Sequence, residues 1–432
     1  MTKIRYLIIG NSAGAIGAVE AIRQIDGSGS LMIVSDEPYP AYSRPLISDY
    51  LAGDRVLEGM LYRPLDFYNR LNINTILGNG VSKLDLKRHK VNLSDGTKVS
   101  FEKLLIATGG KPIVPPMEGL NKNGVFTFTT LDDAKNIAKI IDKVQKVVVI
   151  GGGLIGISVT EALAKCGKQV TVIELMDRIL GAVLDEEASR MAEQAVREAG
   201  VDIRTGHTVK KIVGKNTNDS SVGGVILDDG QQLDCDIVIV AIGVVPKTDL
   251  AKEAGINVNR GIVVDRHMAT SAASIYACGD VSEPFDFIFG ANRVVPIWPN
   301  AHIGGRIAGY NMAGKEIEYD GGTVMNSLKY FKFPVISAGL VNPPADGDYE
   351  ILSCKKNGQY RRILLNDGKI IAIVFVRDIG KAGIFFGLMR EGIDVSDIKD
   401  SLLDDDFGLA SLPEEVWKRH FDPIEAIGST RV

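Results

Sequence analysis

A unit made of a strand, a glycine-rich turn, a helix and a second strand occurs twice in this chain of 432 residues. The first copy predicts a buried strand over Ile4 to Ile9, a tight turn over Gly10 to Gly14 and a helix over Ala15 to Gln24. The second copy starts about 140 residues later, with a strand over Val147 to Ile150 and a turn over Gly151 to Gly156. Such apolar strands joined by helices are typical of parallel sheets covered on both faces, so we predict an α/β fold.

Each glycine turn leads directly into the N-terminus of a predicted helix. Free N–H groups and the positive end of the helix dipole favour a phosphate group at such a position. The second turn is a complete G-x-G-x-x-G through Gly151, Gly153 and Gly156. The first turn has Ser12 and Ala15 where the motif has its second and third glycines, so its match is weaker.

A carboxylate follows the second strand of each copy, about 20 residues after the glycines, where it can bind a ribose diol. In the first copy this residue is Asp36, with Glu37 as the alternative. In the second copy it is Glu174, which would accept hydrogen bonds from the ribose of NAD and repel the extra phosphate of NADP. We therefore predict two bound dinucleotides and a preference for NADH, against which only the nearby Arg178 argues.

Composition narrows the class of protein. The chain has 49 Lys and Arg against 54 Asp and Glu, and the resulting net charge of −5 argues against a nucleic-acid binder. The 4 cysteines are too scattered for a disulfide framework, and neither they nor the 5 histidines show metal-binding spacing, so we predict no metal. No stretch approaches the roughly 20 apolar residues of a membrane helix, and a cytoplasmic location is expected.

Seven short sequence strings, in this order and spacing, resemble the two-dinucleotide flavoproteins of the pyridine nucleotide-disulfide oxidoreductase superfamily. That superfamily includes ferredoxin and rubredoxin reductases, NADH oxidases and peroxidases, and the flavin part of assimilatory nitrite reductases. The resemblance covers essentially the whole chain. The strings are the Gly10 turn, Tyr42 to Pro45, Ala107 to Gly110, Gly151 to Gly156 with Glu174, Gly243 to Pro246, Tyr276 to Asp280, and Trp298 to Ala301.

The resemblance implies three domains. Residues 1–114 and 242–320 would form a discontinuous FAD-binding domain, into which an NAD-binding domain of residues 115–241 is inserted. Residues 321–432 would form a C-terminal α+β domain that often makes a dimer interface in this family, so a homodimer is expected. The predicted fold class is thus α/β, with two Rossmann-like domains and a C-terminal α+β domain.

The resemblance also implies which residues contact the cofactors, FAD and NAD. Asp36, or else Glu37, would bind the adenosine ribose of FAD, and Asp280 would hold a ribityl hydroxyl. The predicted FAD contacts are Gly10, Ser12, Ala13, Gly14, Asp36, Glu37, Arg44, Pro45, Val81, Ala107, Thr108, Gly109, Gly279, Asp280, Ile297 and Trp298. The other predicted cofactor contacts are Gly151, Gly153, Leu154, Ile155, Gly156, Glu174 and Gly243.

Several of these residues have plainer interpretations. Arg44 is predicted to contact a phosphate or the flavin ring, but it could be a surface charge. Asp280 could cap a turn, because Asp is common in turns. Trp298 is predicted to lie beneath the pyrimidine ring of the flavin, at a helix start that Pro299 would suit, but it could be a core aromatic.

The cysteines argue against thiol chemistry. Relatives with redox cysteines carry one near the position of Ser43, and serine cannot form a disulfide or a sulfenate. Cys278 lies within a predicted FAD-contact string, where a small buried residue is expected. Ser158 stands where many relatives have Glu, which leaves the subfamily open.

We therefore expect hydride exchange between nicotinamide C4 and flavin N5, followed by direct transfer to an external acceptor. A ferredoxin or rubredoxin is the favoured partner, and reverse flow that produces NADH is equally compatible with the sequence. Three alternatives stay open: an oxidase that uses O₂, a subunit of a larger redox complex, and a nucleotide-binding scaffold without turnover. As a subunit, this chain could contact the rest of the complex through Lys355–Lys356, Arg361–Arg362 or Asp404–Asp406, although such charge runs are usually solvated.

Overall fold

The computed structural model describes residues 3–216, 220–412 and 414. They form two compact units. The larger unit comprises the chain up to residue 175 together with residues 201–323, and the smaller comprises residues 176–200 together with the chain from residue 324 onward. Both glycine turns lie in the larger unit, and the predicted α/β class with a C-terminal α+β part is confirmed. The division of the larger unit into an FAD domain and an NAD domain stays a prediction.

The strands are numbered in chain order. They are β1 (Ile4–Ile9), β2 (Leu31–Ser35), β3 (Ile73–Leu77), β4 (Val81–Asp85), β5 (Lys90–Leu93), β6 (Lys98–Ile106), β7 (Gly110–Pro112), β8 (Val125–Thr127), β9 (Lys146–Ile150), β10 (Gln169–Glu174), β11 (Asp202–Thr205), β12 (Val209–Gly214), β13 (Val222–Leu227), β14 (Gln232–Asp234), β15 (Ile237–Val240), β16 (Val244–Pro246), β17 (Ile262–Val263), β18 (Ile275–Ala277), β19 (Ser282–Glu283), β20 (Phe285–Asp286), β21 (Ala291–Asn292), β22 (Met325–Leu328), β23 (Val335–Gly339), β24 (Glu350–Lys356), β25 (Gln359–Asn366) and β26 (Lys369–Val376).

The α-helices are numbered in the same way. They are α1 (Ala13–Ile25), α2 (Ile47–Leu51), α3 (Phe67–Arg70), α4 (Leu131–Ala138), α5 (Leu154–Lys165), α6 (Glu186–Glu198), α7 (Asp249–Glu253), α8 (Trp298–Ala313) and α9 (Ala382–Glu391). Short 3₁₀ helices lie at Arg44–Leu46, Leu57–Met60, Ile141–Lys143, Gly279–Val281, Tyr330–Lys332, Ser396–Ser401 and Leu409–Ser411. Within the described ranges, each helix is too short or too polar to span a bilayer.

The first sheet of the larger unit has seven strands in the order β3-β2-β1-β6-β5-β4, with β18 also paired with β6. Strands β3, β2, β1, β6 and β18 are parallel, so the segments that follow them emerge at one edge of the sheet. Strand β1 is central, and its Leu7 and Ile8 are fully buried because both faces of the sheet are covered. The chain order reverses beside β1, which is where open α/β sheets bind their ligands.

The second sheet repeats this plan with the order β11-β10-β9-β15-β8. All its pairings are parallel, and β9 occupies the position that β1 has in the first sheet. Two antiparallel segments, β7 and β16, connect the sheets, because β7 follows β6 and β16 follows β15. The second glycine turn directly follows β9 and therefore lies at the carboxyl edge of its own sheet.

Helix α8 packs directly on α1, although the two are far apart in the chain. A Cβ added at Gly17 would lie 2.3 Å from the carbonyl oxygen of His302, and one added at Gly305 would lie 2.0 Å from that of Gly14. Only glycine allows the two backbones to approach so closely. This contact holds the N-terminal end of α8 close to the first glycine turn.

The smaller unit contains an antiparallel sheet with the order β22-β23-β26-β25-β24. Helix α9 packs on it through Phe375 and Phe385, whose ring centroids are 4.9 Å apart. Residues 176–200, which connect β10 to β11, also belong to this unit. Asp185, which precedes α6, anchors these residues to the sheet, because its carboxylate accepts a 2.6 Å hydrogen bond from the buried Tyr360 hydroxyl.

Candidate cofactor-binding sites

The first glycine turn, Gly10 to Gly14, joins β1 to α1 and forms a close cradle. Gly10 has φ +113°, and a Cβ added there would lie 2.2 Å from the carbonyl oxygen of Ala107. Its N–H donates to the Val34 carbonyl at 2.8 Å. Ser12 is the extended N-cap of α1, whose first N–H groups have no partner within the helix. This geometry suits an anionic group at the turn.

The two candidate ribose-binding carboxylates beyond β2 have different surroundings. Glu37 has a side chain only 15% exposed, pairs with Arg44, and accepts a 2.6 Å hydrogen bond from the Tyr42 hydroxyl. The Asp36 side chain is 62% exposed and forms an ion pair with Lys247 at 3.2 Å. Glu37 is therefore held in place, whereas Asp36 is held by one exposed contact.

Arg44 connects the first site to a distant segment. One guanidinium nitrogen pairs with Glu37, and another donates to the Thr129 carbonyl at 2.9 Å. Burial raises the pKa of Asp280, and the positive charge of Arg44 acts in the opposite direction. The guanidinium of Arg44 is therefore held by Glu37 and Thr129 rather than being a free surface charge, and its contact with a cofactor stays a prediction.

The segments that follow β6 and β18 complete this edge of the sheet. Lys247 donates its N–H to the Gly109 carbonyl at 2.9 Å, and its own carbonyl accepts from the Thr108 hydroxyl at 3.2 Å. The N–H of Cys278 donates to the Ile106 carbonyl at 3.2 Å, which places Gly279 and Asp280 beside Ala107. The predicted cofactor contacts include neither Lys247 nor Tyr42, although Tyr42 begins one of the strings that carry the resemblance.

Cys278 is enclosed within this region. Its residue is 1% exposed, and burial raises the pKa of its thiol to about 12. A Cβ added at Gly14 would lie 2.7 Å from its sulfur, so Cys278 fills the space behind the first turn. The thiol therefore stays protonated at neutral pH, as expected of a small packing residue.

The start of α8 holds the predicted flavin-ring contacts. Ile297 is the extended N-cap and Trp298 the first residue of the helix. The Trp298 ring lies edge-on to Tyr62 with centroids 5.0 Å apart, and the Tyr62 hydroxyl is 3.2 Å from Nδ1 of His302. Burial lowers the pKa of His302, with Glu20 opposing. Tyr62 was missed in the sequence because no motif contains it.

Pro45 and Val81 are the remaining predicted contacts of the first site. Pro45 lies inside the 3₁₀ helix Arg44–Leu46, directly after Arg44. Val81 begins β4, next to Gly80, where an added Cβ would lie 3.3 Å from the Cβ of Asp36. Both therefore follow residues that the structure places in or beside the first site.

The second glycine turn, Gly151 to Gly156, is tighter than the first. Gly151 has φ +107°, and a Cβ added there would lie 2.5 Å from the Ala241 carbonyl oxygen. A Cβ at Gly156 would lie 1.8 Å from the carbonyl oxygen of Gly151. The N–H of Gly152 donates to the Glu174 carboxylate at 2.6 Å, so the predicted ribose acid lies against the turn.

The other predicted contacts surround this second turn. Gly153 is the N-cap of α5, and Leu154 and Ile155 are its first residues. Gly243 has φ +121°, and its carbonyl accepts from the Ile113 N–H at 2.9 Å. These contacts lie at one sheet edge, and their roles stay predictions.

Arg178, the residue that argued against a preference for NADH, belongs to the smaller unit. Its guanidinium pairs with Asp177 at 3.0 Å and lies 3.4 Å from the Asn342 side-chain oxygen.

His207, Asp228 and Asp229 offer ligand atoms within 4.8 Å of one another. The two carboxylates already accept backbone N–H groups, from Thr208 at 3.1 Å and from Gln231 at 2.9 Å. They therefore serve a turn, and we assign them no metal.

Comparison with known proteins agrees with this arrangement. The family model described as "Pyridine nucleotide-disulphide oxidoreductase" matches residues 4–305. The model described as "Rubredoxin NAD+ reductase C-terminal domain" matches residues 325–393. Together they cover both glycine turns and most of the C-terminal sheet.

Three curated relatives are similar over much of the chain. The epsilon subunit of the NADH-dependent phenylglyoxylate dehydrogenase of Aromatoleum evansii is 31% identical over 91% of this chain and 93% of its own length. The rubredoxin-NAD(+) reductase of Pseudomonas putida is 32% identical over 66% of this chain and 73% of its own. The nitrite reductase [NAD(P)H] of Bacillus subtilis (strain 168) is 29% identical over 92% of this chain, which spans only 48% of that protein.

Two solved structures share the fold over nearly the whole chain. The NAD-dependent persulfide reductase from A. fulgidus has a TM-score of 0.85 at 28% identity, covering 92% of this chain and 79% of its own. The covalent putidaredoxin reductase–putidaredoxin complex has a TM-score of 0.83 at 27% identity, covering 91% and 94%. The chain belongs to the pyridine nucleotide-disulphide oxidoreductase family and is an NAD(P)H oxidoreductase of the group that uses FAD and NAD(H).

Proposed function

We propose that this protein passes electrons between NADH and a small iron–sulfur protein of the ferredoxin or rubredoxin type. FAD would be held at the first site, and NADH would bind and leave at the second. Bound flavin accepts a hydride from nicotinamide and can release its electrons singly. The same arrangement serves flow in either direction.

The residues of the first site fit FAD. The Gly10 turn and the N-terminus of α1 would receive the pyrophosphate, and Glu37 or Asp36 would bind the adenosine ribose. Asp280 would accept a hydrogen bond from the ribityl chain. The first N–H groups of α8, beginning at Trp298, would stabilise negative charge at the pyrimidine end of the ring.

The second site fits NADH. Its turn is compact, because there is no room for side chains at Gly151 and Gly156, and it leads into the N-terminus of α5, which would receive a pyrophosphate. Glu174 lies at the turn, where a carboxylate binds a ribose diol and repels a 2′-phosphate. We therefore propose a preference for NADH over NADPH.

The surroundings of Cys278 argue against a thiol relay between a bound flavin and the acceptor. It is the cysteine of the first site, and it is enclosed, with its pKa raised to about 12. Ser43, at the position of the redox cysteine in some relatives, has no thiol. Without a reactive thiol at this site, electrons would leave a bound flavin directly. Relatives named as rubredoxin reductases favour a one-electron carrier as the acceptor.

The test is a steady-state assay of NADH oxidation with and without an added carrier. We expect slow oxidation in air alone and at least tenfold faster oxidation with oxidised ferredoxin or rubredoxin. Equal rates with and without either carrier would contradict the proposal. They would favour an NADH oxidase, as a relative 31% identical over 73% of this chain is named.

A second arrangement keeps the chemistry but makes the acceptor another subunit, as the subunit name of one relative suggests. The three charge runs considered as contacts are partly paired with each other. Arg361 is 8% exposed and donates to the backbone carbonyls of Leu403 and Asp404, and Lys356 pairs with Asp405 at 3.3 Å. These contacts argue against the three runs as a docking surface. Co-purification of an iron–sulfur subunit would support the second arrangement.

We also propose a cytoplasmic homodimer. The location is supported by 4 free cysteines, which a reducing compartment maintains. The dimer rests on the family resemblance of the C-terminal domain. Light scattering of the purified protein should give twice the 46.6 kDa mass of the chain, and a monomeric mass would contradict the dimer.

A further inference from the structure

We propose that Lys247 binds the diphosphate of FAD at the first site. No motif includes this residue, and the inference rests on the proposed FAD site. Three features of Lys247 support the proposal: the anchoring of its backbone, the groups that its ammonium faces, and the small contribution of its present ion pair to stability.

The backbone of Lys247 is fixed to the first site. Its N–H donates to the Gly109 carbonyl at 2.9 Å, and its carbonyl accepts from the Thr108 hydroxyl at 3.2 Å. Lys247 directly follows β16, whose pairing with β7 holds this segment. The lysine therefore starts from a defined point beside Ala107, which itself touches the Gly10 turn.

The side chain then crosses the edge of the sheet to Asp36. Its Nζ is 3.2 Å from the Asp36 carboxylate, which follows β2. The ammonium group thus lies among the segments that follow β2, β6 and β16. A dinucleotide bound across the Gly10 turn would lie along this edge.

The charges of the site leave a diphosphate short of cations. Three carboxylates, Asp36, Glu37 and Asp280, belong to the site, against the cations Arg44 and Lys247. The guanidinium of Arg44 is already engaged by Glu37 and by the Thr129 carbonyl. Lys247 can turn from Asp36 to a phosphate, because its side chain is 36% exposed and its partner is 62% exposed.

The Lys247–Asp36 pair is too exposed to add much to stability. The ammonium group of Lys247 gains more from a phosphate than from this exposed pair, since a charge-assisted hydrogen bond to an anion is among the stronger polar contacts. Lys247 would then neutralise one phosphate, and Asp36 would be released toward the adenosine ribose.

Lys111 provides a matched control. It lies on β7, opposite Val245 of β16, and pairs with Asp249 at 2.6 Å. Its side chain is 46% exposed, so it is also a half-exposed lysine paired with an aspartate in the same antiparallel segment. It differs in pairing with Asp249 of α7 rather than with an acid of the first site.

The experiment measures release of FAD from purified holoprotein by the rise in flavin fluorescence, for wild type, Lys247→Met, Lys247→Arg and Lys111→Met. We expect about tenfold faster release from Lys247→Met, near-normal release from Lys247→Arg, and no change for Lys111→Met. Added salt should accelerate release from wild type more than from Lys247→Met, because one screened contact is already missing.

Equal release rates and equal salt dependence in wild type and Lys247→Met would overturn the role of Lys247 while leaving the FAD site intact. Equal acceleration in Lys247→Met and Lys111→Met would also overturn it, since the effect would then be general. Wild-type protein that holds no FAD would overturn the proposed function itself, and the lysine assignment with it.

Discussion

The two candidate dinucleotide sites are built from different numbers of chain segments. The second site is local, because Gly151, Gly156 and Glu174 lie within one strand–helix–strand unit and the Gly152 N–H contacts Glu174 directly. The first site draws on segments that follow four strands of its sheet and on the start of α8. Its Asp36–Lys247 contact joins residues 211 positions apart.

This difference explains how one chain could retain one dinucleotide and exchange another. A ligand enclosed by many segments leaves only when several of them move, so it is retained. A ligand that contacts one local unit can exchange at each turnover. The first site therefore suits a resident FAD, and the second suits a nicotinamide coenzyme that comes and goes.

The largest expected effects come from filling the cradles. Gly10→Val would place a side chain against the Ala107 carbonyl at a positive φ, which strains the backbone and distorts the turn that would hold the phosphate. We expect the purified variant to lose FAD, with affinity reduced about a hundredfold or more. Absorbance of bound flavin after gel filtration is the measurement.

Gly156→Ala should break the other site alone. Its Cβ would lie 1.8 Å from the Gly151 carbonyl oxygen, so the second turn must distort. We expect normal FAD content and NADH-driven flavin reduction slowed about a hundredfold in stopped-flow experiments. If each glycine variant lost both ligands equally, the two sites would not be separable in this way.

Glu174→Ala should have the next largest effect. Losing charge-assisted hydrogen bonds to the ribose should raise the KM for NADH about tenfold and change the KM for NADPH little. Glu187→Ala is the control, since Glu187 belongs to the smaller unit and pairs with Arg190 at 2.7 Å. An unchanged ratio of NADH to NADPH efficiency would contradict the role of Glu174.

An effect of similar size or smaller separates the two acids of the first site. Glu37→Gln should weaken FAD binding about tenfold, because it loses the ion pair that holds Arg44 as well as any ribose contact. Asp36→Asn should cost about threefold or less, because Asp36 is exposed. FAD release rates measure both, and the reverse order would make Asp36 the main ribose ligand.

The smallest effect is expected at Cys278. Because burial raises the pKa of its thiol to about 12, the folded protein holds it protonated, and iodoacetamide at pH near 8 should not label it. The exposed Cys354 should be labelled and serves as the internal control. Cys278→Ser should keep electron transfer within about twofold of wild type. Labelling of Cys278, or loss of activity in the Cys278→Ser variant, would indicate that this thiol takes part in the reaction.

Much of the fold could be predicted because its signals are local. Apolar strands, glycine turns and the acids after the second strands each occupy a few residues, and the structure places α1 at Ala13–Ile25, within two residues of the predicted helix at each end. Helix α1 begins at Ala13 rather than at the predicted Ala15. Ends shift in this way because capping depends on tertiary contacts.

Features that depend on distant pairing could not be predicted. Nothing near Lys247 in the chain indicates that β16 will pair with β7 and bring it to Asp36. Likewise, the pattern of α6 does not show that residues 176–200 belong with the C-terminal sheet, which the buried contact of Asp185 with Tyr360 reveals. Such contacts are decided by topology and not by local residue preference.

The most direct test of the account is an anaerobic titration of the purified yellow protein with NADH, followed by the flavin absorbance. We predict that about one NADH per FAD bleaches the flavin and that oxidised ferredoxin or rubredoxin restores the flavin absorbance without O₂. Flavin that stays oxidised in excess NADH would contradict it.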